Sequence, residues 1–107
     1  MIPKKQKLNR ANFNKVLAKS KKIEGENFSL RVRYVEKSEK SRYSVVVSSK
    51  TAKKAVDRNR LKRQVYEILA KNAPKTGIFG IVYVKKPAIN LDFKPINKEI
   101  FLLLSQI

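Results

Sequence analysis

The spacing of apolar side chains changes period several times along the chain, and each change marks an element. Leu61, Val65, Ile68 and Leu69 recur at i, i+4, i+7 and i+8, one stripe of an α-helix, while Asn59, Arg60, Lys62 and Arg63 fall mostly on the other side. Ala55 and Val56 lie off that stripe and Arg58 lies on it, so either the helix starts near Asp57 or its core stripe ends before Arg58. Thr51 and Asp57 are the candidate N-caps, and the Ala-Pro-Lys-Thr-Gly of residues 73–77 stops the helix. Upstream, Phe13, Val16 and Leu17 keep i, i+3, i+4 spacing behind two candidate caps, Asn9 and Asn12. That helix is short and needs the body of the domain to hold it.

The strands show a different period. Residues 28–35 alternate, with Phe28, Leu30, Val32 and Tyr34 on one face and Arg31 and Arg33 on the other. Residues 42–48 are rich in β-branched side chains, and the charged connection 36–41 predicts that these two strands pair as a hairpin. Three consecutive valines there suggest a strand covered on both faces. Residues 19–26 read as a polar connection in which Gly25 permits a turn. Residues 78–84 form a nearly continuous apolar run, predicting a central strand buried on both sides, with Gly80 marking a bulge or a close backbone approach. Lys85-Lys86-Pro87 ends it, and Pro95 stands where a last helix begins, along which Ile96, Ile100, Phe101, Leu103 and Leu104 recur. The order helix, strands, helix, strand, helix is α+β, with helices covering a sheet.

Composition adds a partner to this picture. The 107 residues fit one domain, 1–107, with residues 1–9 read as a flexible basic arm. The net charge of +18, from 26 Lys and Arg against 8 Asp and Glu, exceeds what solubility requires and implies a polyanion. A membrane surface is the competing polyanion. No apolar run is long enough to span a bilayer, and Met1-Ile2-Pro3-Lys4-Lys5 lacks the apolar core of a signal peptide, so a cytoplasmic protein is expected. Charges on the outer face of a helix are ordinarily just solvated. Here the basic side carries a single acid and the remaining chain is basic too, so guanidinium forks at fixed spacing read as a phosphate-binding face.

The same composition restricts chemistry. Without Cys or His the chain has no disulfide, no thiolate metal site and neither the commonest general base nor the commonest transition-metal ligand. Its acids, Glu24, Glu26, Glu36, Glu39, Asp57, Glu67, Asp92 and Glu99, are scattered, and the one close pair, Glu24 and Glu26, sits in a turn. No protein-borne nuclease site is expected from such a set, and Gly is too scarce for a phosphate-cradling loop. Tyr34, Tyr43 and Tyr83 are candidates for stacking unpaired bases, each with ordinary packing as the default, as it is for Phe13. Reading duplex DNA through the basic helix would call for a second short helix and a tight turn directly before it, which the sequence lacks, so RNA is the expected partner.

Ser48-Ser49-Lys50 followed by Ala55-Val56-Asp57-Arg58-Asn59-Arg60-Leu61-Lys62-Arg63 resembles the Arg-Asn-Arg signature of the bacterial ribonuclease P protein subunits, small basic partners of a catalytic RNA that removes 5′ leaders from precursor tRNA. Pro3-Lys4-Lys5 with Leu8, Phe13 and Val16 resembles the family's first helix, residues 42–47 the strand before the signature, and Lys85-Lys86-Pro87-Ala88 the basic-Pro turn after the last strand. The resemblance implies a compact α/β sandwich like the second domain of ribosomal protein S5, with a left-handed βαβ crossover around the signature helix, against the usual hand. It implies that Arg58, Asn59, Arg60, Lys62 and Arg63 engage the catalytic RNA near its active site, where Mg2+ is held mainly by that RNA and the substrate. A cleft between the first helix and the sheet would take the single-stranded leader at Phe13, Leu17 and Arg31, with Lys50, Lys53 and Lys54 extending the basic surface. Where the family commonly has further aromatics this chain has Leu17 and Arg31, and where many members have two basic residues after the second strand it has Ser49 and Lys50. Those departures would shift leader binding from stacking toward electrostatics. The expected protein is a monomer, one per catalytic RNA, with no membrane or DNA partner; a ribosomal-type RNA-binding protein without nuclease association is the alternative.

Overall fold

The computed structural model describes residues 7–107, so the first six residues of the expected basic arm lie outside the described residues. The elements in order are α1 (Arg10–Ala18), β1 (Lys21–Glu24), β2 (Phe28–Tyr34), β3 (Arg42–Val46), α2 (Ala55–Asn72), β4 (Ile78–Val84), a short 3-10 helix (Lys86–Asn90) and α3 (Phe93–Leu104). The strands form one sheet in the order β1-β2-β4-β3. Strand β4 is central as its apolar run predicts, antiparallel to β2 and parallel to β3.

That order corrects the expected hairpin, because β2 and β3 are not neighbours. The reason lies in β4, where Ile78, Phe79, Gly80, Ile81, Val82 and Val84 are all buried. A strand without a polar face belongs between two others and between two layers. The charged segment 36–41 therefore carries the chain across the slot that β4 fills, and β3, α2 and β4 make a βαβ unit. The polar connection read at residues 19–26 is also corrected. Lys21–Glu24 is an edge strand pairing with β2, with only Ile23 turned inward. Four residues with a single apolar position carry too little pattern to register as a strand.

Side chains on one face of the sheet, Phe28, Leu30 and Val32 of β2, Val82 and Val84 of β4 and Tyr43 and Val45 of β3, pack with Leu61, Val65, Ile68 and Leu69 of α2 and Ile96, Ile100, Leu103 and Leu104 of α3. The other face is covered in part by α1, whose Val16 is fully buried against Phe79 and Ile81. Of the two candidate caps for α1, Asn9 does the work: its side chain accepts the Asn12 N–H at 2.8 Å. Gly80 is a close approach and not a bulge, since the β2–β4 register runs through it unbroken and a Cβ there would lie 3.0 Å from the Tyr43 ring. Gly77, with φ of +86°, makes the turn into β4 in a conformation that favours glycine.

Two polar devices hold the margins. On the edge strand β3 the Tyr43 carbonyl accepts the Leu8 N–H at 3.1 Å and the Val45 N–H donates to the Tyr66 hydroxyl at 3.1 Å. These backbone groups are thereby withheld from pairing with another chain. At the β1–β2 turn the Glu99 carboxylate of α3 accepts three hydrogen bonds, from Asn27 N–H (2.8 Å), Asn27 Nδ2 (2.7 Å) and Phe28 N–H (2.9 Å). Replacing Glu99 by Ala strands those donors and should cost about 2 kcal/mol, read as a lower urea midpoint; an unchanged midpoint would mean that the turn holds itself.

Tyr43 generates a second expectation. Its hydroxyl donates to the Pro74 carbonyl at 2.7 Å, and burial pushes its pKa up to about 12, against a smaller opposing effect of the Ser41 hydrogen bond. A pKa raised in the folded state contributes stability that is whole below the unfolded value near 10 and is lost as pH rises through about 12. An ultraviolet titration should show a tyrosine ionising near pH 12, and Tyr43→Phe should remove that step.

Candidate nucleic-acid interface

The basic helix is built on its buried side. Leu61, Val65, Ile68 and Leu69 are buried as their spacing requires, joined by Tyr66. The helix begins at Ala55 with Lys54 as N-cap, so neither Thr51 nor Asp57 caps it. The Thr51 hydroxyl instead donates to the Val84 carbonyl at 3.3 Å, and Asp57 stands in the first turn, where a negative charge suits the helix dipole. The ambiguity over Arg58 resolves in favour of the second alternative: the helix reaches back to Ala55, and its buried stripe ends at Leu61, before Arg58. Val56 is 73% exposed, and Arg58, half-buried on the stripe, turns its guanidinium to the preceding loop.

There its Nη1 donates to the carbonyls of Ala52 and Lys53, both at 2.9 Å. Arg58 thus braces the loop that carries Lys50, Lys53 and Lys54, all three exposed. Arg60 donates from Nη2 to the Ile89 carbonyl at 3.0 Å and ties α2 to the 3-10 helix that follows Lys85. A guanidinium has five N–H donors, so each arginine keeps donors beyond those it spends on backbone. Asn59 and Arg63 are exposed and Lys62 is half-buried. The five signature residues therefore lie together on the first turns of one helix, two of them also acting as braces.

A second surface lies on the α1 side of the sheet. The register sets side chains there in rows across the strands: Lys22, Arg31, Ile81 and Ser44 in one, Glu24, Ser29, Tyr83 and Val46 in the next. Phe13 of α1 is half-buried against the small cluster of Val16, Phe79 and Ile81, which Val46 and Tyr83 also join. Arg31, half-buried opposite Ile81, lies on the sheet face against which Phe13 of α1 packs, and Leu17, on the same helix, is 43% exposed. The loop bearing Lys50, Lys53 and Lys54 leaves β3 just after Val46, at the end of the sheet marked by the Tyr83 row. Of the three candidate stacking tyrosines, Tyr43 is removed by burial and by its bond to Pro74, Tyr83 is half-buried on this face, and Tyr34 is exposed.

Carboxylates are spent elsewhere. Among the described residues Glu24 pairs with Lys22 (2.8 Å) and Lys85 (2.7 Å), and Glu67 with Lys71 (3.9 Å). The lysines, Lys22 foremost, hold the Glu24 carboxyl down to about 2. None of these pairs reaches residues 50–63, where Asp57 is the one carboxylate among seven cations. Among the described residues no group of three acidic side chains is placed to hold a metal ion, and no helix is long and apolar enough to cross a membrane.

Comparison with known proteins decides the family. The Ribonuclease P family model matches residues 2–107. The chain belongs to the ribonuclease P protein family. Among curated relatives, the ribonuclease P protein component of Pseudanabaena is 30% identical over 99% of this chain and 94% of its own, and that of Synechocystis 31% identical over 89% and 78%. The solved ribonuclease P protein from Thermotoga maritima superposes with a TM-score of 0.82 at 30% identity, covering 94% of this chain and 96% of that one. The Staphylococcus aureus ribonuclease P protein, at 20% identity and a TM-score of 0.80, shares the fold. This is a ribonuclease P protein component of the bacterial type, which partners an RNA subunit.

The braces make the signature arginines testable as more than contacts. The Arg58→Ala, Arg60→Ala double variant should remain folded by circular dichroism, with stability lower by about 1–2 kcal/mol from the lost carbonyl bonds. Protease should then cut more readily in the loop at residues 50–54. A double variant that is unfolded would make these arginines structural supports.

Proposed function

We propose that this protein is the non-catalytic subunit of its ribonucleoprotein, supplying affinity while the RNA supplies the chemistry. Arg58, Asn59, Arg60, Lys62 and Arg63 engage the catalytic RNA, and Phe13, Leu17 and Arg31, with Lys50, Lys53 and Lys54, engage the 5′ leader of precursor tRNA. The observation that carries this reading is the pair of cationic surfaces described above, one on α2 and one on the α1 side of the sheet, in a chain with 26 Lys and Arg against 8 Asp and Glu. A chain without His or Cys has little to offer phosphodiester cleavage. Mg2+ acts from sites on the catalytic RNA and substrate, and the protein's charge lowers the concentration at which those sites fill. One protein chain, monomeric and cytoplasmic, serves each RNA.

The phosphate-rich partner fixes a salt dependence. Each phosphate contact should contribute about 0.7 to 0.9 to the log-log slope of affinity against salt, and Lys53→Ala should reduce that slope by about 1 without altering sequence preference. The deciding experiment is precursor tRNA cleavage at low magnesium with protein alone, with a bacterial ribonuclease P RNA alone, and with both. Activity only in the combined reaction, cutting at the mature 5′ end, is expected. Cleavage by the protein alone would reveal a protein-borne active site, and binding without activation would favour a ribosomal-type RNA-binding protein.

A further inference from the structure

At the corner of the sheet where β1 begins, β2 runs on past its partner. Pairing starts with Lys21 opposite Val32, so Arg33 and Tyr34 have no strand beside them on that flank. The chain has already turned away through Lys19 and Ser20 toward α1. What remains is an open groove of about 450 Å³ lined by Lys19, Ser20, Lys21, Val32, Arg33 and Tyr34. Its size falls in the range of small-ligand sites, which begins at about 300 Å³.

The lining holds three cations, a phenol ring and no acid. Lys21 donates to the Gln106 carbonyl at 3.2 Å and Arg33 to the Lys15 carbonyl at 3.1 Å. Both anchors are neutral groups that orient the side chains without cancelling their charge. Among the described residues no carboxylate pairs with Lys19, Lys21 or Arg33. Tyr34 is 56% exposed, although Phe28, Leu30 and Val32, which precede it on the same strand face, are all buried. An uncovered aromatic beside uncompensated cations is the chemistry of a single-stranded nucleic-acid site, with the ring for a base and the cations for its phosphate.

We propose that this corner groove binds one nucleotide of single-stranded RNA, its phosphate at Lys19, Lys21 and Arg33 and its base against Tyr34. The nucleotide belongs to the leader of precursor tRNA, upstream of the stretch lying on the α1 face; this rests on the leader reading given above. Arg33 connects the two places. It stands two positions along β2 from Arg31, about 7 Å away, on the same sheet face, and its guanidinium reaches the last turns of α1 at Lys15. A strand passing Arg31 reaches Arg33 and there rounds the free flank of β2 to Tyr34 and Lys21, which lie on the opposite sheet face with Val32.

The test uses the reconstituted holoenzyme and precursor tRNAs with a short leader that ends on the α1 face or a longer one that reaches the corner. Tyr34→Ala should weaken binding of the long-leader substrate about tenfold, the effect of losing one stacked base, and leave the short-leader substrate unchanged. Tyr34→Phe should keep full affinity, and the Lys19→Ala, Lys21→Ala pair should show the same dependence on leader length. Equal effects on both leaders, or none, would overturn the proposal. So would weaker assembly with the catalytic RNA alone, since the groove would then serve that RNA. Arg31→Ala is the control for the α1-face reading: if it alters neither substrate, that reading fails, whatever Tyr34→Ala shows. Circular dichroism of the free variants checks the fold, and if Tyr34→Ala proves unfolded the lysine pair carries the same comparison.

Discussion

A strand that is apolar on both faces cannot leave either of them in water, and β4 imposes that constraint on everything else. It must lie inside the sheet, which separates β2 from β3. It must also be covered twice, by α2 and α3 on one side and by α1 on the other. The two coverings are unequal. Two long amphipathic helices seal the first face, whereas the nine residues of α1 close only part of the second. The uncovered part of that face is where Arg31 and Ser44 flank Ile81 in one row and Tyr83 lies in the next. A partly open basic sheet face is therefore a consequence of how β4 is buried.

Charge is arranged around the same frame. With few acids, a protein of this composition can neutralise only a small share of its cations internally. The acids that do act inside the fold act at margins: Glu99 closes the β1–β2 turn and Glu24 joins that hairpin to Lys85 beyond β4. Among the described residues none of these ion pairs involves the cations of residues 50–63 or Arg31 and Arg33 of the α1 side. Such self-repulsion destabilises a compact monomer and is relieved when phosphates arrive, so part of the driving force for RNA association is the removal of repulsion that folding itself created.

What the sequence made legible follows from the length of each pattern. The stripe of Leu61, Val65, Ile68 and Leu69 and the run 78–84 are long, and both elements stand where they were expected. The alternation of Phe28, Leu30 and Val32 against Arg31 and Arg33 separated the core face from the basic face of β2 correctly. Pairing was less legible. A charged connection of six residues between two strands suggests a hairpin, and nothing local reveals that a strand more than thirty residues onward will come between them. Lys21–Glu24 was missed because one inward residue is no period at all, and with it the corner groove, which exists only because β1 is shorter than β2. The candidate site divides the same way: the signature residues were visible as a cluster, while the braces formed by Arg58 and Arg60 depend on carbonyls that no side-chain pattern announces.

Those braces bear on why the signature positions carry arginine. A lysine offers one compact ammonium; spent on a loop carbonyl, it has little directional capacity left for a phosphate. The fork of Arg58 reaches two carbonyls with a single terminal nitrogen and keeps its remaining donors for other partners. The residue that shapes the Lys50–Lys54 loop can thus also stand at the RNA surface, and the two roles reinforce each other. A phosphate drawn to that guanidinium would meet a loop already fixed by it, so less ordering entropy would be lost were the neighbouring lysines to engage as proposed.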